Sequence, residues 1–311
     1  MASTSGTPSA GGPTELCVAI RARGVIMAVG RAVDDAAKWA RQLAEIPETG
    51  SAHRVRRDGM SHHITLFSKD ELASLQDPQQ LLTQASTVCS LGAFLPLGVG
   101  TARHDGCLAY FVVVLWPAAQ QLRARWGLVP VDMHITLAFQ PNDPRGVRRG
   151  PAMLLPLPEV VPAAGLDWAV VCDTLAACLE LPDPPYSDLL LAANRVLELA
   201  IASGSDKQLV ELRCLRAMLL GRQGWHSEAL DEAASAIAVA SSESARARPH
   251  LISGLAACSL GLWEQAWDHL SGLEIQHLQA SDAQRAGRAI ALCQRQRAMK
   301  FADGVVTNTT K

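Results

Sequence analysis

The tetrapeptide His-Ile-Thr-Leu occurs twice, at 63–66 and 134–137, with the copies 71 residues apart. The whole chain holds nine histidines, so two identical copies in β-branched surroundings are not expected by chance. Along a strand, residues i and i+2 share a face. His63 therefore sides with Thr65, and His134 with Thr136, while the Ile and Leu of each copy point the other way. If the two strands lie near one another in one sheet, two imidazoles and two hydroxyls converge on a single groove. Such a set suits work on a phosphate ester. One neutral imidazole can take a proton from water, and one protonated imidazole can give a proton to the departing alkoxide. The threonine hydroxyls can hold the non-bridging oxygens for in-line attack. That division of labour requires the two imidazole pKa values to be pushed apart, and a bell-shaped pH profile follows. No Asp, Glu or Cys at recognisable spacing completes a zinc ligand set around the two histidines, so no metal and no other cofactor is expected.

Other polar residues are candidates of a second kind. Arg54, Arg56 and Arg57 precede the first motif; they read as a solvated charge run or as a mobile basic loop that captures a phosphate. Lys69, one turn past the motif, reads as a substrate contact or as a solvated side chain. His62 must face away from His63 on a strand and reads as structural or rim-facing. Trp225, Trp263 and Trp267 read as packing residues. His226, His250, His269 and His277 show no paired spacing.

The elements that would position the motifs form an α+β pattern over residues 15–150. Glu15 to Ile20, Ile64 to Phe67, Phe94 to Arg103, Cys107 to Trp116 and Met133 to Gln140 read as strands, the middle pair joined by a turn at His104-Asp105-Gly106. Val33 to Ile46 and Pro117 to Trp126 read as helices, the latter with Pro at its first turn. Residues 1–14, rich in Ser, Thr, Gly and Pro, read as a disordered leader. Residues 151–166 carry Pro151, Pro156, Pro158 and Pro162 behind a basic cluster of Arg145, Arg148 and Arg149, and read as a linker or a packed extended arm. Residues 167–300 read as helical throughout, with 301–311 as a tail.

Composition sets the outer bounds. Of 311 residues, 49% are apolar and 19% charged, which allows a sizeable core; the net charge of −2 argues against a globally basic nucleic-acid binder. No apolar run reaches the ~18 residues of a membrane span, so no membrane association is expected. Eight cysteines without a CxxC pair argue against a zinc ribbon or a secreted disulfide framework. Reduced thiols and a cytoplasmic location are the expectation.

Two resemblances add to this reading. A pair of H-x-T motifs about 70 residues apart in an α+β domain resembles the 2H phosphoesterase superfamily. The continuation Leu66-Phe67-Ser68-Lys69-Asp70 is most similar to its Swiss Army Knife branch, associated with RNA repair. The resemblance implies a bilobal fold in which each lobe supplies one motif strand to a central cleft. It also implies His63 and His134 as catalytic, Thr65 and Thr136 as phosphate-binding, and a 2′,3′-cyclic phosphate as substrate, on an RNA terminus or a small cyclic nucleotide. Ala138 stands where many relatives carry Gly, a change that could narrow the cleft. In the C-terminal half, Gly224-Trp-His-Ser-Glu-Ala-Leu230 is matched 37 residues later by Gly261-Leu-Trp-Glu-Gln-Ala-Trp267. This resembles the tetratricopeptide repeat, a helix pair of about 34 residues with small residues where the helices cross. The longer offset implies an extended turn near Ser241 to Ser244. A repeat region would bind a protein partner. The competing reading is a scaffold whose 2H domain only recognises a phosphorylated ligand.

Overall fold

The computed structural model describes residues 16–21, 24–75, 77–91, 94–159, 161, 167–181, 184–202 and 206–308. The predicted leader, residues 1–14, lies outside them, as do 160 and 162–166 of the predicted linker. The chain divides into two compact units, Met1–Ala164 and Gly165–Lys311.

The first unit is built on one antiparallel six-stranded sheet, in the order β1 (Leu16–Arg21), β2 (Val25–Gly30), β3 (Ile64–Phe67), β6 (His134–Gln140), β5 (Cys107–Leu115), β4 (Leu95–His104). Its N-terminal and C-terminal halves supply three strands each, and they meet where β3 lies beside β6. Ile26, Ala28, Ile64, Leu66, Val112, Ile135 and Leu137 are buried. Helix α1 (Arg31–Ala40) adds Val33, Ala36, Ala37 and Ala40 to the same core. The predicted hairpin is present: β4 and β5 pair from His104↔Cys107 onward, with Asp105 at φ 46° and Gly106 at φ 72° forming the turn. Among the described residues, four further helices belong to the unit: α2 (Glu48–Asp58), α3 (Lys69–Ala73), α4 (Pro78–Leu91) and α5 (Pro117–Arg125).

Strand β4 is a sheet edge, whose backbone groups need partners or a cover. The proline-rich segment supplies both. A short 3-10 turn at Pro151–Met153 leads to Leu154, which bridges to Gly100, and the Leu155 N–H donates to the Val99 carbonyl at 2.8 Å. Of the two readings of this stretch, the packed arm describes its first residues.

The second unit is helical: α6 (Trp168–Leu179), α7 (Tyr186–Ala202), α8 (Asp206–Arg222), α9 (His226–Val239), α10 (Glu243–Ser259), α11 (Trp263–Leu270) and α12 (Ala280–Asn308), with the last extending into the predicted tail. Two of its turns have the same backbone. Gly224 (φ 84°) and Gly261 (φ 73°) both stand in the left-handed region that favours glycine. The residues after them, Trp225 (φ −86°, ψ 65°) and Leu262 (φ −84°, ψ 66°), donate to the carbonyls of Leu220 and Ala257 at 3.0 and 2.9 Å. Ala229 and Ala266, five residues after each glycine, are buried. The two sequence copies therefore form equivalent helix–turn–helix corners. Trp263 and Trp267 pack against Leu251, Ala266 and Leu270, whereas Trp225 is 49% exposed, so the packing role expected for Trp225 is corrected. All eight thiols are free, with Cys258 and Cys293 sulfurs 3.3 Å apart. No helix among the described residues is long and apolar enough to cross a membrane.

Candidate active site

Strands β3 and β6 pair at Ile64 opposite Ile135. Continuing that antiparallel register by one residue on each side sets Thr65 opposite His134 and His63 opposite Thr136. Neighbours of this kind stand with Cβ atoms about 4.5–5.5 Å apart. The paired isoleucines are fully buried. The two copies thus meet in a locally two-fold arrangement, and the side chains on the opposite face open into one cavity of about 220 Å³. It is lined by Val25, Met27, Arg57, His63, Thr65, His134, Thr136 and Asp143.

The environment of His134 is the most completely defined. Its Nδ1 lies 3.0 Å from the Asp132 carbonyl oxygen, and its Nε2 lies 2.8 Å from Nη1 of Arg149. A guanidinium can only donate, so Nε2 accepts and the ring proton sits on Nδ1, donating to Asp132. His134 is thereby a neutral imidazole whose lone pair faces the cation. Burial, with Arg149 as the next cause, lowers its pKa from the ordinary 6.5 to about 4. The Phe111 ring meets it edge-on, with centroids 5.8 Å apart.

Arg149 is itself buried, and its position is fixed by other groups. Nη2 donates to Asp143 Oδ1 at 2.6 Å and to the Pro144 carbonyl at 2.7 Å. The other Asp143 oxygen accepts from Arg57 Nη1 at 2.5 Å. Asp132 fastens the same loop: its carboxylate accepts from Arg148 Nε at 2.7 Å, Arg148 Nη2 at 3.1 Å and the Arg149 N–H at 2.9 Å. Burial alone would raise the Asp132 carboxyl, but the hydrogen bonds from Arg148 and Arg149 outweigh it and hold the group below the usual carboxylate range.

The three arginines before the first motif do not form a loop. Pro47 and Glu48 start helix α2, and Gly59 at φ 83° ends it. Arg54 is 4% exposed and donates to the carbonyls of Gly59, Met60 and Ser61 at 3.0, 3.3 and 3.1 Å. It holds the segment that leads into His63, and its predicted role as a substrate contact is corrected to an internal one. Arg57 reaches the cavity; it is paired with Asp58 and lies 4.5 Å from the Phe139 ring centroid. Arg56 lines a wider, neighbouring cleft. Lys69 is exposed at the start of α3, outside the lining of either space. His62 turns to α1, where its N–H and Nδ1 meet Asp34 Oδ1 at 2.9 and 2.8 Å.

Helix α2 lies on β6 at very close range. A Cβ at Gly50 would stand 3.1 Å from the Ala138 Cβ and 3.3 Å from the Phe139 backbone, so any larger residue there would require β6 or α2 to give by a few tenths of an ångström. Ala138 is covered by this helix and does not line the cavity.

Arg149, Asp143 and Asp132 were not singled out as site residues from the sequence. The basic cluster of Arg145, Arg148 and Arg149 was visible, but it reads as the start of a linker. The one signal that could have raised it is its place just after the second motif, within reach of the C-terminal end of that strand. Among the described residues, no group of three or more His, Cys, Asp or Glu side chains is arranged to hold a metal ion.

Residues 24–144 match the family model described as Swiss Army Knife, 2H phosphoesterase domain. The match takes in both motifs and ends before Arg149. No curated protein and no solved structure matches the chain.

Proposed function

We propose that this 2H phosphoesterase domain hydrolyses a 2′,3′-cyclic phosphate without a metal, in RNA repair or processing. The observation that supports it is the convergence of His63, Thr65, His134 and Thr136 on one 220 Å³ cavity beside Arg57 and Arg149. His134 is the base, because it is neutral with its lone pair on Nε2. His63 is then the acid. The incoming phosphate competes for the Arg149 guanidinium and draws it from Nε2. A water gives a proton to Nε2 as its oxygen bonds to phosphorus, and the ring P–O bond breaks as protonated His63 donates to the leaving ribose oxygen. Thr65 and Thr136 hydrogen-bond the non-bridging oxygens. The helical unit, with equivalent corners at Gly224 and Gly261, is a tetratricopeptide-like region that binds a protein partner. The absence of a CxxC pair among eight cysteines supports a cytoplasmic location.

Incubation of the full chain with a panel of nucleoside 2′,3′-cyclic phosphates, followed by ³¹P NMR, tests the activity. Conversion to a single phosphomonoester in the presence of a chelator is the expected result. Tight nucleotide binding without any product would favour the scaffold reading instead.

A further inference from the structure

The 220 Å³ cavity is smaller than the ~300–1,000 Å³ of sites that enclose a whole small ligand. It has room for the reacting phosphate and part of a ribose, so the rest of the substrate must lie elsewhere. A second space of about 740 Å³ lies beside it: Arg57 and Asp143 line both. Arg56 and Arg145 stand on the wall of this outer cleft, with His53 and Phe139.

The charges in the outer cleft are unevenly spent. Arg57 is committed to Asp58 and Asp143, and Asp143 is shared with Arg149. Among the described ion pairs none involves Arg56 or Arg145, and both side chains are exposed. Asp143 is the only acidic residue lining the cleft, and its two oxygens are already taken by Arg57 and Arg149. The outer cleft therefore offers two uncompensated guanidinium groups, which suit the planar, paired recognition of a phosphate.

We propose that the outer cleft is a second-phosphate subsite, and that the substrate is a ribonucleotide bearing a phosphate on the 5′ side of the reacting one. Arg56 and Arg145 hold that second phosphate, while the inner cavity holds the first. The inference rests on the phosphoesterase reading for the identity of the inner group, but its test reads binding alone. Two sources share this chemistry: a 5′-phosphorylated mononucleotide and the end of an RNA chain.

The experiment is isothermal titration calorimetry of the full chain with three product-like ligands. These are adenosine 2′-monophosphate, adenosine 2′,5′-bisphosphate and an adenylyl dinucleotide ending in a 2′-phosphate. The bisphosphate is expected to bind at least about tenfold more tightly than the monophosphate, a gap that narrows with added salt. In the Arg56→Ala/Arg145→Ala double variant that preference is expected to fall below about threefold. The dinucleotide binding more tightly than the bisphosphate identifies an RNA end; the reverse order identifies a mononucleotide. Equal affinities in the wild type, binding of none of the three, or a preference untouched by the double variant would each overturn the subsite. The two readings separate cleanly. A preserved preference in a protein that hydrolyses no cyclic phosphate would remove the activity and leave the subsite standing. Turnover with no preference would do the opposite.

Discussion

Arg149 Nη1 lies 2.8 Å from His134 Nε2, a permanent cation donating to an imidazole. The contact fixes the ring's tautomer and opposes its protonation. Together with burial, it holds the His134 pKa at about 4 against an ordinary 6.5. The acid limb of the kcat/KM profile, which reports the free enzyme, is therefore expected near pH 4 rather than near pH 6.5. In Arg149→Met, which keeps the burial and removes the cation, the midpoint should rise by about one unit. Ring-carbon NMR titration of His134 in both proteins checks this, and a wild-type midpoint at the ordinary histidine value would contradict it.

The same shift has a consequence for stability. A histidine whose folded pKa is depressed binds its proton more readily in the unfolded chain, so its contribution is complete above pH 6.5 and is lost as pH falls towards 4. Between pH 7 and pH 5 the loss due to this group should be about 2 kcal/mol. Urea unfolding at both values, compared with His134→Gln, isolates it from the other histidines with lowered pKa, His62, His250 and His269. An equal pH dependence in the variant would assign the effect elsewhere.

The end of the first motif strand is tied to a partly buried ion pair. Arg123, 1% exposed, donates to the Leu66 carbonyl at 2.8 Å, to the Val129 carbonyl at 2.9 Å and to Glu71 Oε1 at 2.5 Å. Glu71 also accepts from the Ser68 N–H at 2.8 Å, closing a capping box on α3. Glu71→Ala strands the buried guanidinium and should cost about 3 kcal/mol, measured by denaturant unfolding. Arg123→Met should cost less, because it removes the charge as well. A neutral Glu71→Ala would show that the pair contributes nothing.

Arg54 is expected to be required for folding rather than for binding. Truncation to Ala leaves three carbonyls without their donor and should lower stability by about 2 kcal/mol. Arg54→Lys should recover little, since one ammonium cannot match the guanidinium fork. Thermal unfolding of the three proteins checks the order, and full rescue by Lys would contradict it.

The parts of this architecture that follow local rules were legible in the sequence. Short runs of β-branched, aromatic and other apolar residues marked β3, β4, β5 and β6, and His104-Asp105-Gly106 marked the hairpin between β4 and β5. Helix α2 was not legible because Glu48–Asp58 has no apolar stripe; it is held against β6 by the close approach at Gly50, and Arg54 is buried through backbone carbonyls rather than apolar neighbours. Strand β2 was missed as a short apolar run without a clear turn before it. The convergence of the two histidines was expected from their identical flanks. The partner of the His134 Nε2 was not, because Arg149 reaches it through a loop held by Asp132 and Asp143 and not marked by any sequence period.

The most direct measurement is single-turnover hydrolysis of a nucleoside 2′,3′-cyclic phosphate by the wild type, His63→Ala, His134→Ala and the double variant. Each single substitution is expected to lower the rate by roughly 10²–10⁴, and the double variant should be scarcely slower than the worse single. Wild-type rates in either single variant, or losses that simply multiply in the double variant, would contradict two imidazoles acting together on one phosphorus.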